Sequence, residues 1–456
     1  MEHSLGVPLR RWSAVAERVP LNLIEVILAQ GSTMTTISHD TAHPSTVPIP
    51  ATDRVFGFTD HAALWFSLGV GLLVMQVGAY LVPALSPPRA LLAVLLGSAL
   101  GAGLLAWVAA IGCRHGLSSS ALIGRSLGQG FALLPVGLNV LQLLGWTAFE
   151  LVVMRDGTTA IVRRLAGLDA AAWLPWAATL VWGGLLLALA SGSMIGLVRR
   201  FVSRFGLPLV IASLCWLSWQ FGARLLEQGV DAWWSRPGDG SMSLLAALDL
   251  VIAMPVSWLP LVADYARYGR AAGPALRGTW LGYSVANVWC YALGVLVAGS
   301  APAGADLVAT LLLAQGGLLA LGLILIDEAD NAYGDVHSGA VSISFVTARV
   351  SIRAAGMALA LLAIACALVL PMHSLEPFLL MLSSVFVPLF GVVISQLAGR
   401  AGGLPAERML RWGPALVWLL GIACFHAGAR WWPDWGSALP SLALTLLLGS
   451  ALRGRT

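Results

Sequence analysis

The sequence predicts an all-α membrane protein with about twelve transmembrane helices, and three observations support this fold class. Of the 456 residues, 58% are hydrophobic and only 11% are charged, whereas soluble domains carry about 25% charged residues. The apolar residues form runs long enough for a helix of about 20 residues to cross the hydrocarbon core. The chain contains no lysine, and its arginines cluster between these runs. This composition excludes a soluble enzyme, a nucleic-acid-binding protein and a secreted disulfide scaffold.

Twelve spans are predicted, with both chain ends in the cytoplasm. This orientation places most arginine clusters on the inside, where loops carry an excess of positive charge. Arg163 and Arg164 are the exception. The predicted spans are residues 62–84, 89–112, 131–154, 172–191, 206–226, 243–264, 277–299, 307–333, 353–371, 377–398, 412–428 and 437–452.

The first 58 residues differ from the rest of the chain. They are rich in Ser, Thr and Pro and contain no secretory signal. We predict a disordered cytoplasmic segment at 1–58, within which Met34 is an alternative translation start.

Two spans are predicted to break in mid-membrane. Pro255 and Pro260 in span 6 remove backbone donors from the helix. Five spans earlier, span 1 contains Gly69, Gly71 and the lone polar residue Gln76. Broken helices at equivalent positions of two inverted five-helix repeats mark the binding site in one class of transporters. A simple packing kink is the alternative.

Span 3 carries a row of polar and aromatic residues. Asn139, Gln142, Trp146 and Glu150 are spaced by three or four residues and therefore share one helical face. This pattern predicts a pocket in which Trp146 stacks on a flat ring while Gln142 or Glu150 binds the ring edge. The alternative is a polar seam between helices.

Span 8 carries an acidic cluster, formed by Asp327, Glu328, Asp330 and Asn331. Three carboxylates at membrane depth cannot all stay ionised without compensating cations or donors. We therefore expect a proton or Na⁺ relay here, against the alternative that the span ends before Asp327 and the charges are solvated.

Three further ionisable residues have simpler interpretations. Asp264 and Arg267, at the cytoplasmic end of span 6, suggest a gate or a cap. His337 follows Asp330 by two helical turns, yet an interfacial histidine is the expected role. No metal site and no bound cofactor are predicted.

Three ordered segments resemble the nucleobase:cation symporters, and among them the cytosine and hydroxymethylpyrimidine permeases. They are LNVLQLLGWTA at 138–148, MPVSWLPLVADYARY at 254–268 and DEADNAY at 327–333. The likeness extends from about residue 60 to 400.

The resemblance implies a leucine-transporter-like fold, in which a 5+5 inverted repeat of ten helices is followed by two appended helices. The implied divisions are a core at 59–400, its repeats at 59–226 and 240–400, and the appended helices at 401–456.

The resemblance also assigns site residues. It implies that Trp146 stacks on the base, that Glu150 stands where some relatives bind the ring edge with glutamine, and that Asp330 or Asn331 contacts the base. Pro255 occupies the position of a second aromatic residue in relatives. The pocket lining is completed by Gly71, Gln76, Ser257 and Trp258.

The coupling cation is where the sequence departs from its relatives. They bind Na⁺ with span-1 carbonyls, near Gly69 here, and with two span-8 hydroxyls, which Asp327 and Glu328 replace. Because carboxylates titrate, we expect proton coupling in place of Na⁺ coupling.

The resulting expectation is a symporter of the cytoplasmic membrane that imports cytosine or a related aminopyrimidine. A carboxylate at Glu150 accepts hydrogen bonds from an amino-pyrimidine edge, whereas uracil offers fewer donors. The expected partners are this small molecule, a cation and the lipid bilayer, with no nucleic acid and no obligate protein partner. The alternatives are a symporter for another small solute on the same fold and a polytopic enzyme using the acidic cluster with a metal.

Overall fold

The computed structural model describes residues 46–167, 171–192, 206–301, 307–370, 374–399 and 403–453. Their regular structure is helical. The helices are α1 Phe58–Ser67, α2 Leu72–Tyr80, α3 Pro87–His115, α4 Ser119–Leu127, α5 Leu133–Ala166, α6 Leu174–Ala190, α7 Leu207–Gln228, α8 Val230–Trp234, α9 Leu244–Ser257, α10 Leu259–Ala266, α11 Ala272–Ser300, α12 Leu307–Leu312, α13 Gly317–Val346, α14 Ile352–Val369, α15 Leu375–Leu397, α16 Trp412–Trp431 and α17 Ala438–Leu452.

The helices confirm an all-α polytopic membrane protein. In the described part of the chain, eight are long and apolar enough to cross a membrane, with α9 and α10 counted as one, and the bent pair α1–α2 adds a ninth span. The shorter apolar helices α6 and α17 and the acidic helix α13 account for the other three predicted spans.

Span 8 differs from its prediction of 307–333. The short helix α12 covers its beginning, and α13 then runs without interruption to Val346. Small residues such as Gly334, Ser338 and Gly339 are buried along this extension. Packing against neighbouring helices therefore stabilises this part of the helix, although its hydrophobicity is too low to predict a membrane span. The acidic cluster therefore lies inside a helix, which continues beyond the predicted end of the span at residue 333.

The helices pack in two groups. One contains α1, α2, α3, α9, α10 and α11, in which α11 and α3 contact most of the others. The second contains α5, α6, α13 and α14. The first group contains predicted spans 1, 2, 6 and 7, and the second group contains spans 3, 4, 8 and 9. Each group thus combines helices five spans apart, as an inverted 5+5 repeat requires.

Two faces of the molecule are named here by the helix ends that form them. The N-face is where α1 begins, at Phe58, and α10 ends, at Ala266; the far face is where α2 ends, at Tyr80, and α9 begins, at Leu244.

Both predicted breaks are present. Span 1 is interrupted at residues 68–71, and α1 and α2 meet at a bend of 64°. A side chain at Gly69 would lie 2.9 Å from the Ala286 Cβ and 3.0 Å from the Trp65 carbonyl oxygen, so this position admits only glycine without rearrangement. Span 6 is interrupted at Trp258, between α9 and α10.

The start of the described chain corrects one expectation. Residues 1–45 of the segment predicted to be disordered lie outside the described residues, but 46–57 are packed on the N-face. The Phe56 N–H donates to the Tyr268 carbonyl at 3.0 Å. Arg54 donates to the carbonyls of Ile49 and Cys113. These hydrogen bonds hold the polar segment against α3 and the end of α10, which composition alone does not show.

The last helix is anchored to span 6 through Asp249. Its carboxylate is 6% exposed and accepts hydrogen bonds from the backbone N–H groups of Ser437 and Ala438, at the start of α17. A carboxylate at a helix N-terminus satisfies orphan donors and interacts favourably with the helix dipole.

Replacing Asp249 with alanine is therefore expected to destabilise the protein by about 1–3 kcal/mol, because two buried donors lose a charged acceptor. Thermal unfolding of the purified protein measures this change. The control is Asp434→Ala, because Asp434 lies nearby but is exposed. Equal unfolding temperatures for the two variants would contradict the anchoring role.

Candidate functional site

The span-1 break is bonded to helix α13. The Leu72 N–H, the first of α2, donates to Glu328 Oε1 at 2.5 Å, and Asn331 Nδ2 donates to the Val70 carbonyl at 3.1 Å. On the α1 side, Ser67 Oγ donates to Asp327 Oδ1 at 3.1 Å. The acidic cluster thus supplies partners for backbone groups that the broken helix leaves free.

A central cavity of about 30 Å³ lies beside this break. Spans 1, 3, 6 and 8 all contribute to its wall. The lining residues are Leu68, Val70, Gly71, Leu73, Val74, Trp146, Glu150, Met254, Ser257, Trp258, Glu328, Asn331 and Asp335.

The two tryptophans of this cavity are held by other aromatic rings. Trp146 meets Phe378 of α15 edge-on, with ring centroids 5.2 Å apart, and Trp258 meets Trp65 of α1 edge-on at 6.0 Å. Such contacts fix ring orientation. The indole Nε1 of Trp146 has no hydrogen-bond partner among the described residues, so its polar edge is available to a ligand.

Three carboxyl groups line the cavity. Glu150 comes from α5, and Glu328 and Asp335 from α13. Asp335 is 2% exposed and is a site residue that the sequence analysis does not predict, because it lies outside the compact cluster at 327–331. Its spacing of seven residues from Glu328 and four from Asn331 is a signal that places all three on one helical face.

Several predicted site residues lie elsewhere. Gln76 points to a wider cavity and donates to the Tyr80 hydroxyl at 2.6 Å, one turn along its own helix. Gln142 is buried, and its Nε2 donates to Asn139 and to the Ser257 carbonyl, both at 3.0 Å. It thus supports the span-6 break from outside the cavity wall.

Two more predicted residues lie outside the cavity wall. Gly69 lies against α11, and Asp330 is half-buried on another face of α13 from Glu328 and Asn331. The structure therefore brings together Trp146, Glu150, Gly71, Ser257, Trp258, Glu328 and Asn331 of the predicted set.

The wider cavity opens the site toward the far face. It has a volume of about 890 Å³, shares the lining residue Leu73 with the central cavity, and is lined by far-face residues such as Tyr80, Trp233 and Glu376.

The N-face is closed by polar contacts. Asp264 Oδ1 accepts from the Ser119 N–H at 2.9 Å, and Ser119 Oγ accepts from the Ala263 N–H at 3.0 Å. Ser120 and Ser342 bond through their hydroxyls at 3.1 Å. The loop helix α4 is thereby held between α10 and α13.

Arg267 completes this closed face. It is 1% exposed, its Nε donates to the Asp264 carbonyl at 3.2 Å, and its guanidinium lies over the Tyr268 ring at 5.2 Å from the centroid. Asp264 and Arg267, for which a gate or a cap is predicted, thus both make buried polar contacts at the N-face.

A span bent by 64° and a second span interrupted at Trp258, both beside one central cavity, are the arrangement expected of a secondary transporter with a leucine-transporter-like fold. The chain belongs to the family of permeases for cytosine/purines, uracil, thiamine and allantoin, which matches residues 48–428. The predicted family is therefore confirmed. No protein with a curated description matches the chain.

Solved structures share this fold. Mhp1, a nucleobase-cation-symport-1 family transporter in a closed conformation with bromovinylhydantoin bound, matches with a TM-score of 0.73 and 17% identity over 90% of this chain and 94% of its own. A Na⁺-coupled sialic acid symporter matches with a TM-score of 0.65 and 10% identity over 95% and 97%. A manganese transporter of Eremococcus coleocola has a TM-score of 0.54 and 17% identity over 91% and 97%.

Opening of the N-face is expected to depend on Asp264. Asp264→Ala removes the acceptor of the Ser119 N–H, and losing a hydrogen bond to a charged group shifts the balance toward the open face by about tenfold. In a Ser120→Cys background, thiol labelling at residue 120 should accelerate by that factor, as measured by mass spectrometry of the labelled peptide.

The matched control for this labelling is Asp231→Ala, which removes an exposed carboxylate at the far face. Labelling at residue 120 that is unchanged by Asp264→Ala would rule out this closing role.

Proposed function

We propose that this permease imports a pyrimidine carrying an amino group, such as cytosine or a hydroxymethylpyrimidine, by symport with protons. The observation that carries the proposal is the central cavity itself, where the Trp146 indole and the Glu150 carboxyl lie beside acidic residues bonded to the span-1 break. The setting is the cytoplasmic membrane, with both chain ends in the cytoplasm.

Recognition of a flat ring follows from the α5 face. Trp146 and Glu150 are one helical turn apart, so a ring stacked on the indole presents its edge to the carboxyl group. Stacking supplies apolar contact, and the carboxyl supplies orientation. An exocyclic amino group donates to a carboxyl oxygen, whereas the carbonyls of uracil are repelled by it.

Proton coupling is supported by the residues at the break. Glu328 accepts a hydrogen bond from the first N–H of α2, where the resemblance places an Na⁺ in relatives. At this position a carboxyl group can bind and release a proton, which would replace the Na⁺ of the relatives as the coupling ion. Its protonation state then affects the contact between α13 and span 1, which belong to different helix groups.

Alternating access follows from the arrangement of these groups. The substrate enters from the far face, and release requires α4 and α10 to separate from α13 at the N-face. Rocking of one helix group against the other around a fixed central site is the motion that inverted repeats permit.

The fold alone permits other solutes, since sialic acid and manganese transporters share it. A flat-ring substrate is favoured here by the two tryptophans of the cavity. For the enzymatic alternative, the described residues contain no group of three or more His, Cys, Asp or Glu side chains placed to hold a metal ion.

Proteoliposomes test the function directly. Labelled cytosine is expected to accumulate when the interior is alkaline and Na⁺ is equal on both sides, and not when an Na⁺ gradient is imposed at equal pH. Uracil should compete on the order of tenfold more weakly, which corresponds to about one hydrogen bond. Accumulation driven by Na⁺ alone would contradict proton coupling, and equal competition by uracil would contradict the edge recognition.

A second prediction concerns Glu328. Glu328→Gln retains an oxygen to accept from Leu72 but does not titrate, so we expect equilibrative exchange of labelled cytosine to persist while pH-driven accumulation is lost. The control is Glu376→Gln, an identical change at an exposed residue of the wider cavity. Full pH-driven accumulation by the Glu328 variant would exclude this residue from coupling.

A further inference from the structure

Glu150 is a buried acid with an unused hydrogen-bonding atom. Its side chain is 4% exposed, it lines the central cavity, and its Oε2 has no partner among the described residues. In contrast, Glu328 has a backbone donor at 2.5 Å. A buried polar atom without a partner is costly in a native protein, and here the atom lies where a ligand stacked on Trp146 would supply that partner.

The charges around Glu150 are all of one sign. The titratable groups facing it are Asp335 and Glu328, both on α13. Spans 1 and 6 contribute no titratable side chain to the described cavity lining. Three ionised carboxylates without a cation would repel each other strongly at low dielectric. Glu328, the proposed coupling residue, already has a donor at the span-1 break, so a further proton that enters with the substrate is favoured at the other two carboxyls.

The chemistry of the ring edge selects Glu150 over Asp335 as the carboxyl that shares a proton with the substrate. An aminopyrimidine edge presents an amino donor beside a ring nitrogen that is a basic acceptor. An ionised carboxylate has two acceptor oxygens, so one of them would oppose the lone pair of the ring nitrogen. With one added proton, both contacts become hydrogen bonds.

We propose that substrate binds together with a proton shared between the Glu150 carboxyl and the ring nitrogen, while the other carboxyl oxygen accepts from the exocyclic amino group. This inference rests on the proposed function and assigns Glu150 a second role, as the residue that makes substrate binding itself proton-dependent. Uracil has no basic nitrogen at this edge, so a protonated Glu150 would donate to a carbonyl oxygen, which is a weaker acceptor.

Glu150→Gln tests the proposal, because a glutamine amide carries a donor and an acceptor at every pH. Binding of labelled cytosine to the purified full-length protein is measured from pH 5.5 to 8.5. Wild-type affinity should fall by about tenfold per pH unit at the alkaline end. Glu150→Gln should bind with affinity that does not change with pH, and Glu150→Ala should lose on the order of 10- to 100-fold.

Uracil provides an independent readout. An amide also pairs with the N–H and carbonyl of uracil, so at alkaline pH, where the ionised wild-type carboxylate repels the carbonyls, Glu150→Gln should bind uracil more tightly than the wild type does. Glu376→Gln makes the same chemical change in the wider cavity and should leave the pH profile of cytosine binding unchanged.

Two results would overturn the proposal. If Glu150→Gln loses cytosine binding while its thermal unfolding is unchanged, the ionised carboxylate is the binding form, and guanine, whose edge has two donors, should bind better than cytosine. A pH-independent wild-type affinity would also contradict it while leaving the transport function intact. If the wild type binds neither cytosine, adenine nor hydroxymethylpyrimidine at any pH, the proposed function is wrong as well.

Discussion

The site depends on one constraint, the need to satisfy the backbone of a broken helix inside a membrane. Without water, an unpaired N–H or C=O in the hydrocarbon region costs several kcal/mol. Span 1 breaks at residues 68–71, and α13 pairs its free groups through Glu328 and Asn331. The break cannot be kept without α13 beside it. The cavity next to the break is therefore lined by the acidic face of α13.

This constraint also determines how the cavity responds to charge. Glu328 is engaged with the α2 N-terminus, where a helix dipole favours negative charge. Asp335 and Glu150 face the same space without a basic neighbour in the described lining. The charge of the site can then change only through protons or through cations that enter it. A binding site of this composition couples solute and cation by electrostatics, with no need for a distant relay.

Much of this arrangement is readable from the sequence, and the failures have physical causes. The spans are predictable because a run of about 20 consecutive apolar residues has few other stable structures than a transmembrane helix. The breaks are predictable because proline and glycine disturb the helix at their own position in the sequence. The position of Asp335 in the cavity depends on which face of α13 meets that cavity, and the sequence pattern does not show this. Gln76 lies in the wider cavity because its own Tyr80 provides a partner one turn away. The order of residues 46–57 comes from tertiary contacts such as those of Arg54, which composition cannot predict.

The N-face shows why such a site can alternate between its two openings. Its closing contacts are hydrogen bonds among Ser119, Asp264 and the Ser120–Ser342 pair, and each contributes about 0.5–3 kcal/mol. A handful of such bonds amounts to a few kcal/mol. A ligand with about 10⁴-fold preference for one state supplies about 5.5 kcal/mol, enough to invert a two-state equilibrium. A closure made of polar contacts can therefore be reversed by ligand binding, whereas an apolar seal of large area could not. The polar residues at the N-face and the acidic residues at the break thus meet the same requirement. The conformation open to the N-face and the conformation open to the far face must have similar free energies.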